Sequence, residues 1–421
     1  MPAMPAVPAI PPMRDLTAAW VGADDAARTL GITRATLYAY VSRGLIRSEP
    51  GAGPGRSRAR RYSRDDVDRL RRRAEERRNP DKVAVHALQW GMPVLESAIT
   101  LIADETLFYR GHDAVALART SSVEKVASLI WAGVVDEGRP DAAPMTERVI
   151  SPKTTPFILR AQAMLALASA SDHQAFDLRR EAVIRTGWRI LDLLVQTEAP
   201  RAKGPIDVAL ARGWRVRAGG EEVIRAALIL CADHELNVSA FTARCVASAG
   251  SNPYAVVTAG LAALEGTKHG GSTARVETTL AAMRRERSLR AALAERLRQG
   301  QRVDGFGHPL YRRGDPRAAA LIDMLERRYP KSPELRYARE FARAAKAVTG
   351  EHPNIDFALG AASRVLGLPA GSGLTLFAIG RTIGWIGHAI EQYAVDQIIR
   401  PRAKYVGVVA SATEPAHRQS T

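Results

Sequence analysis

Four short segments in the second half of the chain place histidine, aspartate and arginine among glycines. They are DHELNVSAFTARCVAS at 233–248, KHGGSTARV at 268–276, GFGHPLYRRGDPRA at 305–318 and HPNIDFALGAASRVLGLP at 352–369. Glycine lets the backbone approach a ligand closely, and functional side chains concentrate in such loops. Histidine and aspartate supply acid–base chemistry, and the planar fork of arginine matches a carboxylate. The combination predicts acid–base chemistry on a polyanionic substrate.

Each acid–base candidate also has a structural interpretation when it is taken singly. His269 could stand at a helix entry, His308 could cap a turn, and Asp356 could be a helix N-cap. Taken together, two histidines and an aspartate in glycine-bounded segments favour a catalytic set. Three arginines suited to binding carboxylates follow in chain order: Arg317, Arg381 and Arg400.

Long amphipathic patterns run from about residue 81 to the end of the chain, and they predict helices. The segment ESAITLIADETLFYRGHD at 96–113 differs, because it alternates apolar and polar residues around an Ala-Asp-Glu turn. That alternation predicts one small β-hairpin. The body of roughly 340 residues is therefore predicted to be all-α and too large for one simple bundle.

Composition limits the class of protein. The 421 residues suffice for two or three domains, and 46% hydrophobic with 25% charged residues is globular rather than disordered or fibrous. Two cysteines are too few for a disulfide framework and lack zinc-ligand spacing, so no metal and a reducing compartment, the cytoplasm, are expected. No apolar stretch reaches the roughly 20 residues of a bilayer helix, so no membrane partner is expected.

The first fifth of the chain is rich in arginine. Residues 1–80 contain 16 arginines, no lysine and 9 acidic residues, in a chain of net charge +16. The opening MPAMPAVPAIPPM carries proline at almost every second or third position, which predicts a flexible lead over residues 1–19. From Asp24 the pattern predicts two helices around a tight turn, with Gly31 in the turn and Thr33 as the N-cap of the second helix.

The segment after the proline-rich lead resembles a known DNA-binding module. ADDAARTLGITRATLYAYVSRGLI followed by RRYSRDDVDRL is similar to the winged helix-turn-helix of the MerR/excisionase type, over residues 20–78. The resemblance implies a recognition helix for the major groove beside an arginine-rich hairpin, the wing. Small helix-turn-helix units also serve as interaction or oligomerisation modules, so both interpretations stay open. The side chains predicted to contact DNA are Arg34, Thr36, Tyr38, Arg56, Arg58 and Arg60.

The glycine-flanked segments of the body resemble the citrate synthase family. G-T-K-H-G-G is similar to the family's G-P-L-H-G-G, and G-F-G-H-P-L-Y-x-x-x-D-P-R to its second histidine motif. P-N-I-D-F is similar to its aspartate motif, and I-I-R-P-R-A-x-Y-V-G to its C-terminal signature. With ITLIADETLFYRGHDAVALA and SSVEKVASLIWAG upstream, the resemblance covers about residues 86–407. Several independent motifs in the right order are a specific signal.

This resemblance implies a two-domain helical fold and a dimer. The large domain would comprise residues 81–265 and 362–421, and a small domain of residues 266–361 would be inserted between them, all preceded by the winged helix-turn-helix. Closure of the small domain would assemble the site and expel water. A homodimer is implied because Arg400 would reach into the neighbouring subunit's site.

The implied reaction is the condensation of acetyl-CoA with oxaloacetate and water to give citrate and CoA. Asp356 would be the base, His269 would stabilise the enolate, and His308 would be the acid on the ketone. CoA is then a co-substrate, and no permanently bound cofactor is expected. The residues implied to bind oxaloacetate are His234, Arg317, Arg381 and Arg400. The residues implied to bind CoA are Arg312, Val303, Gly305, Phe306 and Gly307.

Two departures from the family pattern and two alternative functions remain. Cys231 stands where the family usually has another histidine, and Lys268 replaces a leucine, where its charge is expected to disfavour protonated His269.

A 2-methylcitrate synthase using propionyl-CoA stays open, because one methylene is worth only about 1–3 kcal/mol of discrimination. The other alternative is a DNA-binding regulator whose synthase body senses a metabolite. The intact base argues for an enzyme, because binding alone does not need one.

Overall fold

The chain folds into two compact units, Met1–Glu96 and Ser97–Thr421. The flexible lead predicted at residues 1–19 and the domain boundary predicted near residues 78–81 lie outside the described residues. The computed structural model describes residues 20–50, 60–68, 70–71, 95–135, 155–200, 202–403 and 405–407.

The N-terminal unit combines helices with a three-stranded antiparallel sheet. In the sheet the central strand is β3 (Arg60–Ser63), with β1 (Trp20–Gly22) on one side and β2 (Ser48–Pro50) on the other. The pairing of β2 with β3 forms the predicted wing, and another helix begins at residue 64. The elements are β1 (Trp20–Gly22), α1 (Ala23–Leu30), α2 (Arg34–Ser42), β2 (Ser48–Pro50) and β3 (Arg60–Ser63).

The turn between α1 and α2 confirms the predicted capping. Gly31 has a φ of 64°, in the left-handed region that other residues adopt only with strain. Thr33 accepts a hydrogen bond from the amide of Thr36 at 3.2 Å, which caps α2. The sequence therefore fixes this helix-turn-helix locally, and a small apolar core joins it to the sheet. That core consists of Ala26, Ala27, Leu37, Ile46, Tyr62 and Val67.

Within its described residues, the C-terminal unit contains one small antiparallel sheet. The hairpin predicted at residues 96–113 is confirmed, with Asp104 and Glu105 at its turn. Both turn residues have positive φ, 49° and 61°, as the favoured two-residue hairpin turns require. A two-residue third strand, which the sequence pattern did not predict, extends the sheet. The strands are β4 (Thr100–Ala103), β5 (Thr106–Tyr109) and β6 (His112–Asp113).

The rest of the described C-terminal unit is helical, as predicted. Short 3₁₀ turns occur at His173–Phe176 and Met283–Arg285. The α-helices are α3 (Ala114–Thr120), α4 (Val123–Ala132), α5 (Phe157–Ser171), α6 (Arg180–Glu198), α7 (Ile206–Gly213), α8 (Gly220–Cys231), α9 (Val238–Ser248), α10 (Pro253–Glu265), α11 (Gly271–Ala282), α12 (Leu289–Arg298), α13 (Pro316–Arg328), α14 (Pro333–Thr349), α15 (Ile355–Leu366) and α16 (Ser372–Val395).

Helix α16 lies at the centre of this unit and is buried around nearly its whole circumference, as expected for a helix that is apolar on all sides. It packs against α6, α8, α9 and α10. At Gly384 the backbone of α16 comes close enough to donate a hydrogen bond to the carbonyl of Ala232 at 2.9 Å, where a Cβ atom would clash. In the part of the chain that is described, no helix is both long and apolar enough to cross a membrane.

Candidate active site

Helix ends position most of the predicted side chains. His234 lies between α8 and α9, and His269 lies two residues before α11 begins. Asp356 is in the first turn of α15, where the N-cap is Asn354, whose Oδ1 accepts from the amide of Asp356 at 3.0 Å. Because Asn354 caps the helix, the carboxylate of Asp356 is not used as a cap.

His234, His308 and Tyr311 form a cluster of three rings. The centroids of the two imidazoles are 5.0 Å apart, and the planes are nearly perpendicular at 75°. The hydroxyl of Tyr311 lies 2.9 Å from Nε2 of His234, and its ring centroid lies 4.8 Å from that of His308. The guanidinium of Arg317 lies over the Tyr311 ring at 5.6 Å. Tyr311, which the sequence analysis did not assign, thus joins three predicted site residues.

The backbone fixes the tautomer of His308. The amide of Leu310 donates to Nδ1 of His308 at 3.2 Å, so the neutral imidazole carries its proton on Nε2. Burial lowers the pKa of His308 to about 4, and the charge of Arg317 acts in the same direction, while Asp315 opposes them. At neutral pH, His308 is therefore an uncharged hydrogen-bond donor through Nε2.

His269 is also neutral, and the cause differs from the one expected. Burial lowers its pKa to about 4, with a further contribution from Arg381. Lys268 is exposed and is not a cause of the shift, so the expectation that its charge would act on His269 is corrected. Arg381 and His269 flank Phe377, at 4.8 Å and 6.1 Å from its ring centroid.

Ser239 couples His269 to the start of α9. Its Oγ lies 2.9 Å from Nε2 of His269 and 2.7 Å from Oδ1 of Asn237, the N-cap of α9. A hydroxyl has one proton, so it can donate to the imidazole or to the amide oxygen, but not to both at once. The orientation of this hydroxyl therefore selects the tautomer of His269. The Asn-x-Ser spacing before α9 is the sequence signal that could have revealed Ser239.

The two buried arginines have different partners. Arg317 pairs with Asp315 through two hydrogen bonds of 2.9 Å and 2.8 Å. Arg381 is only 1% exposed, and its Nε donates to the carbonyl of Cys231 at 2.7 Å. Nη2 of Arg381 is buried and has no hydrogen-bond partner within the described residues. An unpaired buried donor is costly, and a carboxylate ligand would satisfy it.

A buried pair anchors the segment that carries His234. Asp233 is fully buried, and its carboxylate lies 3.2 Å from Nε2 of His388 and accepts from Thr100 at 2.6 Å. Burial acts to raise the pKa of Asp233, but the interactions with His388, Arg381 and Thr100 together outweigh it and lower the pKa. These contacts tie α8, α16 and β4 together behind the site.

The 303–307 loop, expected to face CoA, is joined to the segment before Asp356. The amide of Asn354 donates to the carbonyl of Gly305 at 2.9 Å, and the amide of Gly307 donates to the carbonyl of His352 at 2.8 Å. Phe306 packs on Phe357, with ring centroids 5.0 Å apart, and Val303 is buried. Val303 therefore belongs to the core and Phe306 packs against it. The backbone of Gly305 and Gly307 is hydrogen-bonded to the segment 352–354.

The sequence matches two known protein families. The family described as citrate synthase, C-terminal domain, matches residues 147–402. The chain belongs to the citrate synthase family. A helix-turn-helix domain family matches residues 20–75, in agreement with the N-terminal unit.

Relatives and solved structures agree with this family. "Citrate synthase 2" of Bacillus subtilis is 30% identical over 75% of this chain and 94% of its own length. "2-methylcitrate synthase 2" of Corynebacterium glutamicum is 27% identical over 77% of this chain and 95% of its own length. The crystal structure of citrate synthase from Thermotoga maritima superposes with a TM-score of 0.64 at 26% identity, covering 79% of this chain and 98% of that one.

Two predicted ligands of the citrate synthase body stand apart from the buried cluster. Arg312 and Arg400 are exposed, and neither side chain makes a hydrogen bond or ion pair within the described residues. The described residues also contain no group of three or more histidine, cysteine, aspartate or glutamate side chains placed to hold a metal ion.

The structure describes four of the six residues that were predicted to contact DNA. Arg34 pairs with Asp24 through two hydrogen bonds, one of them 2.6 Å long between Nε and Oδ1. Tyr38 is 52% exposed, and Arg60 is exposed at the start of β3. Thr36 is partly buried beside Thr33. Arg56 and Arg58 lie outside the described residues.

Proposed function

We propose that the chain condenses acetyl-CoA with oxaloacetate and water to give citrate and CoA. One observation carries the proposal: two buried arginine charges act on every acid–base group of the site. Arg317 acts on the pKa of His234, His308 and Asp356, and Arg381 acts on that of His234 and His269. Proton-transfer groups and carboxylate-binding groups therefore share one electrostatic environment, which a dicarboxylate substrate requires.

The first step is removal of a methyl proton from the thioester. Asp356 accepts this proton, and the negative charge moves onto the thioester oxygen as an enolate. His269 donates a hydrogen bond to that oxygen, which requires the proton on Nδ1. The Ser239 hydroxyl, which donates to Oδ1 of Asn237, would then have to turn and donate to Nε2 of His269. The lowered pKa of His269 keeps this imidazole neutral.

The second step forms the carbon–carbon bond. The enolate carbon attacks the ketone carbon of oxaloacetate, and the ketone oxygen takes the proton from Nε2 of His308, so that citryl-CoA forms. The imidazolate left at His308 regains a proton as Asp356 releases the one that it took from the methyl group. Water then adds its hydroxyl to the acyl carbon, the carbon–sulfur bond breaks, and the sulfur leaves as the CoA thiol. His308 has the tautomer that the protonation requires, because Leu310 occupies its Nδ1.

The carboxylates of oxaloacetate would be held by the buried cluster and by a second subunit. Nη2 of Arg381 is the unpaired donor, and Arg317 and His234 lie on either side of Tyr311. The exposed Arg400 suits a role at the site of a partner subunit, so a homodimer is the minimal active form. Exposed Arg312 would bind a CoA phosphate, and the 303–307 loop would lie against the adenine.

The division of the body into domains remains part of the proposal. Residues 266–361 would close over residues 81–265 and 362–421, which carry Arg381 and Arg400. Closure would exclude water from the enolate, where a dry environment strengthens each hydrogen bond.

The identity of the acyl donor is tested by comparing kcat/KM for acetyl-CoA with kcat/KM for propionyl-CoA. Relatives named for citrate and for 2-methylcitrate synthesis cover similar shares of this chain, so their names do not separate the donors. Release of the CoA thiol is measured with oxaloacetate and either acetyl-CoA or propionyl-CoA. A higher kcat/KM with acetyl-CoA is the expected result, and a higher value with propionyl-CoA would assign a 2-methylcitrate synthase instead.

A second function, DNA binding, is favoured by the geometry of the N-terminal unit. Leu37 of α2 and Tyr62 of wing strand β3 are buried in one apolar core, so the recognition helix and the wing belong to one folded unit. Arg60 lies at the start of this strand. Arg34 would have to leave Asp24 before it could contact a phosphate.

DNA binding is tested by the anisotropy of a labelled random-sequence duplex, titrated with the full chain at several salt concentrations. Affinity should fall as salt rises, and Arg60→Ala should reduce the slope of log K against log[salt] by about one. Lys268→Ala, at an exposed cation of the C-terminal unit, is the control and should leave the slope unchanged. Absence of salt-dependent binding would favour the interaction-module interpretation.

A further inference from the structure

Thr273 contacts the proposed base from a neighbouring helix. It lies in the first turn of α11, is fully buried, and its hydroxyl donates a hydrogen bond to Oδ1 of Asp356. Asp356 itself lies in the first turn of α15, so the carboxylate sits where the N-terminal turns of two helices meet.

The two helices are packed closely enough to hold this contact. Gly360 of α15 leaves no room for a Cβ atom against Val276 of α11. A threonine hydroxyl buried at such a contact needs an acceptor, because an unsatisfied buried hydroxyl costs about 1–3 kcal/mol. The carboxylate supplies the acceptor, and hydrogen bonds to ionised groups are among the strongest in proteins.

We propose that Thr273 is a positioning residue for Asp356, whose hydroxyl holds the carboxylate in one orientation and stabilises its ionised form. The catalytic part of this inference rests on the proposed function, in which Asp356 is the base. A base must be ionised and must present a free lone pair to the methyl proton. Because Thr273 occupies Oδ1, Oδ2 is the oxygen left to receive the proton.

The surroundings of Asp356 make its ionisation sensitive to a single donor. Burial raises the pKa of Asp356, and the hydrogen bond from Thr273 is the largest opposing effect, followed by Arg317 of α13. Asp315 acts to raise this pKa. Arg275 of α11 and the thiol of Cys231 at the end of α8 also interact with the carboxylate.

Two further helices pack near this carboxylate. Helix α14 presents the ring of Phe341 to Phe357, and Arg381 of α16 binds the carbonyl of Cys231. The charge on Asp356 is therefore set by Arg317, Asp315 and Arg275 together with the hydroxyl of Thr273 on α11.

The test replaces only the hydroxyl. Thr273→Val keeps the branched shape, and Thr273→Ser restores a hydroxyl if the valine variant is poorly folded. The matched control is Thr278→Val on the same helix, because the Thr278 hydroxyl is exposed and donates to the carbonyl of Ala274 at 3.0 Å. Full-length protein labelled with ¹³C at the aspartate carboxyls is titrated by NMR, and the signal missing from Asp356→Asn assigns Asp356.

Loss of the donor should raise the pKa of Asp356 by about one unit in Thr273→Val, a tenfold change in its ionisation constant. Thr273→Ser should restore the wild-type value, and Thr278→Val should not change it. An unchanged midpoint of the Asp356 titration in Thr273→Val would overturn the inference. This result does not depend on turnover, so the inference is tested even if the proposed function fails.

The pH dependence of turnover gives the second readout. The acidic limb of kcat should move upward with the NMR midpoint in Thr273→Val, whereas a purely structural effect would lower kcat at every pH and leave the limb in place. Wild-type protein without turnover would contradict the proposed function alone. Turnover with an unmoved limb in Thr273→Val would contradict the role of Thr273 alone.

Discussion

The amide of Leu310 donates to Nδ1 of His308, and this one contact leaves Nε2 as the proton donor of the ring. Burial and Arg317 keep the ring uncharged, because they lower its pKa to about 4. A buried neutral donor of fixed tautomer suits a ketone oxygen that gains negative charge as carbon attacks it.

His308→Gln should therefore retain more activity than His308→Ala. Glutamine keeps an N–H donor of similar reach, whereas alanine removes it, and loss of a general acid typically costs about 10²- to 10⁴-fold. Steady-state kcat is measured for both variants at pH 7.5, with circular dichroism to check folding. Wild-type turnover in His308→Ala would contradict the assigned role.

Acidification should destabilise the folded chain through its buried histidines. The pKa values of His269 and His308 are about 4, below the ordinary value of 6.5. As pH falls from about 6.5 to about 4, these two histidines take up protons in the unfolded chain but not in the folded chain. Their contribution to the free energy of unfolding therefore falls in that window and is constant above it. His269→Gln should lose less Tm than wild type between pH 7 and pH 5, and an equal loss would contradict the assignment.

Substitutions of Arg381 and Arg312 should raise the KM for different substrates. Arg381→Gln should raise KM for oxaloacetate about 10- to 100-fold, because a charge-assisted hydrogen bond to a carboxylate is lost. Arg312→Gln, at an exposed position, should instead raise KM for the acyl-CoA. Initial rates with each substrate varied in turn provide the measurement, and each variant is the control for the other. The reverse pattern would exchange the two roles.

Arg400 should act across the dimer interface. Arg400→Ala and Asp356→Asn should each be inactive alone, and mixing them after unfolding and refolding should restore up to about a quarter of wild-type activity. Random pairing makes half of the dimers mixed, and each mixed dimer has one site with both residues intact. Mixtures that stay inactive would place Arg400 at the site of its own subunit.

Local features of the fold were predictable, because their causes lie close together in the sequence. Gly31 and Thr33 set the turn before α2, and Asp104 and Glu105 set the β4–β5 hairpin. The third strand β6 was missed, since a two-residue pairing leaves no alternation to detect.

The supporting residues of the site could not be predicted in this way. Tyr311 meets His234 across 77 residues of sequence, and Thr273 meets Asp356 across 83. The hydrophobic periodicity of the sequence does not reveal such contacts, because they form only when separate helices pack together. The pKa shift of His269 could not be predicted without the fold either. Burial and Arg381, rather than the adjacent Lys268, lower this pKa.

The central claim is that Asp356 removes the methyl proton in the condensation of an acyl-CoA with oxaloacetate. The direct measurement is CoA release from acetyl-CoA and oxaloacetate by the purified full chain, compared with Asp356→Asn. The account predicts turnover in the wild type and a loss of about 10²-fold or more in the variant, with binding of oxaloacetate retained. Equal turnover in the two proteins, or none in a folded, dimeric wild type, would contradict it.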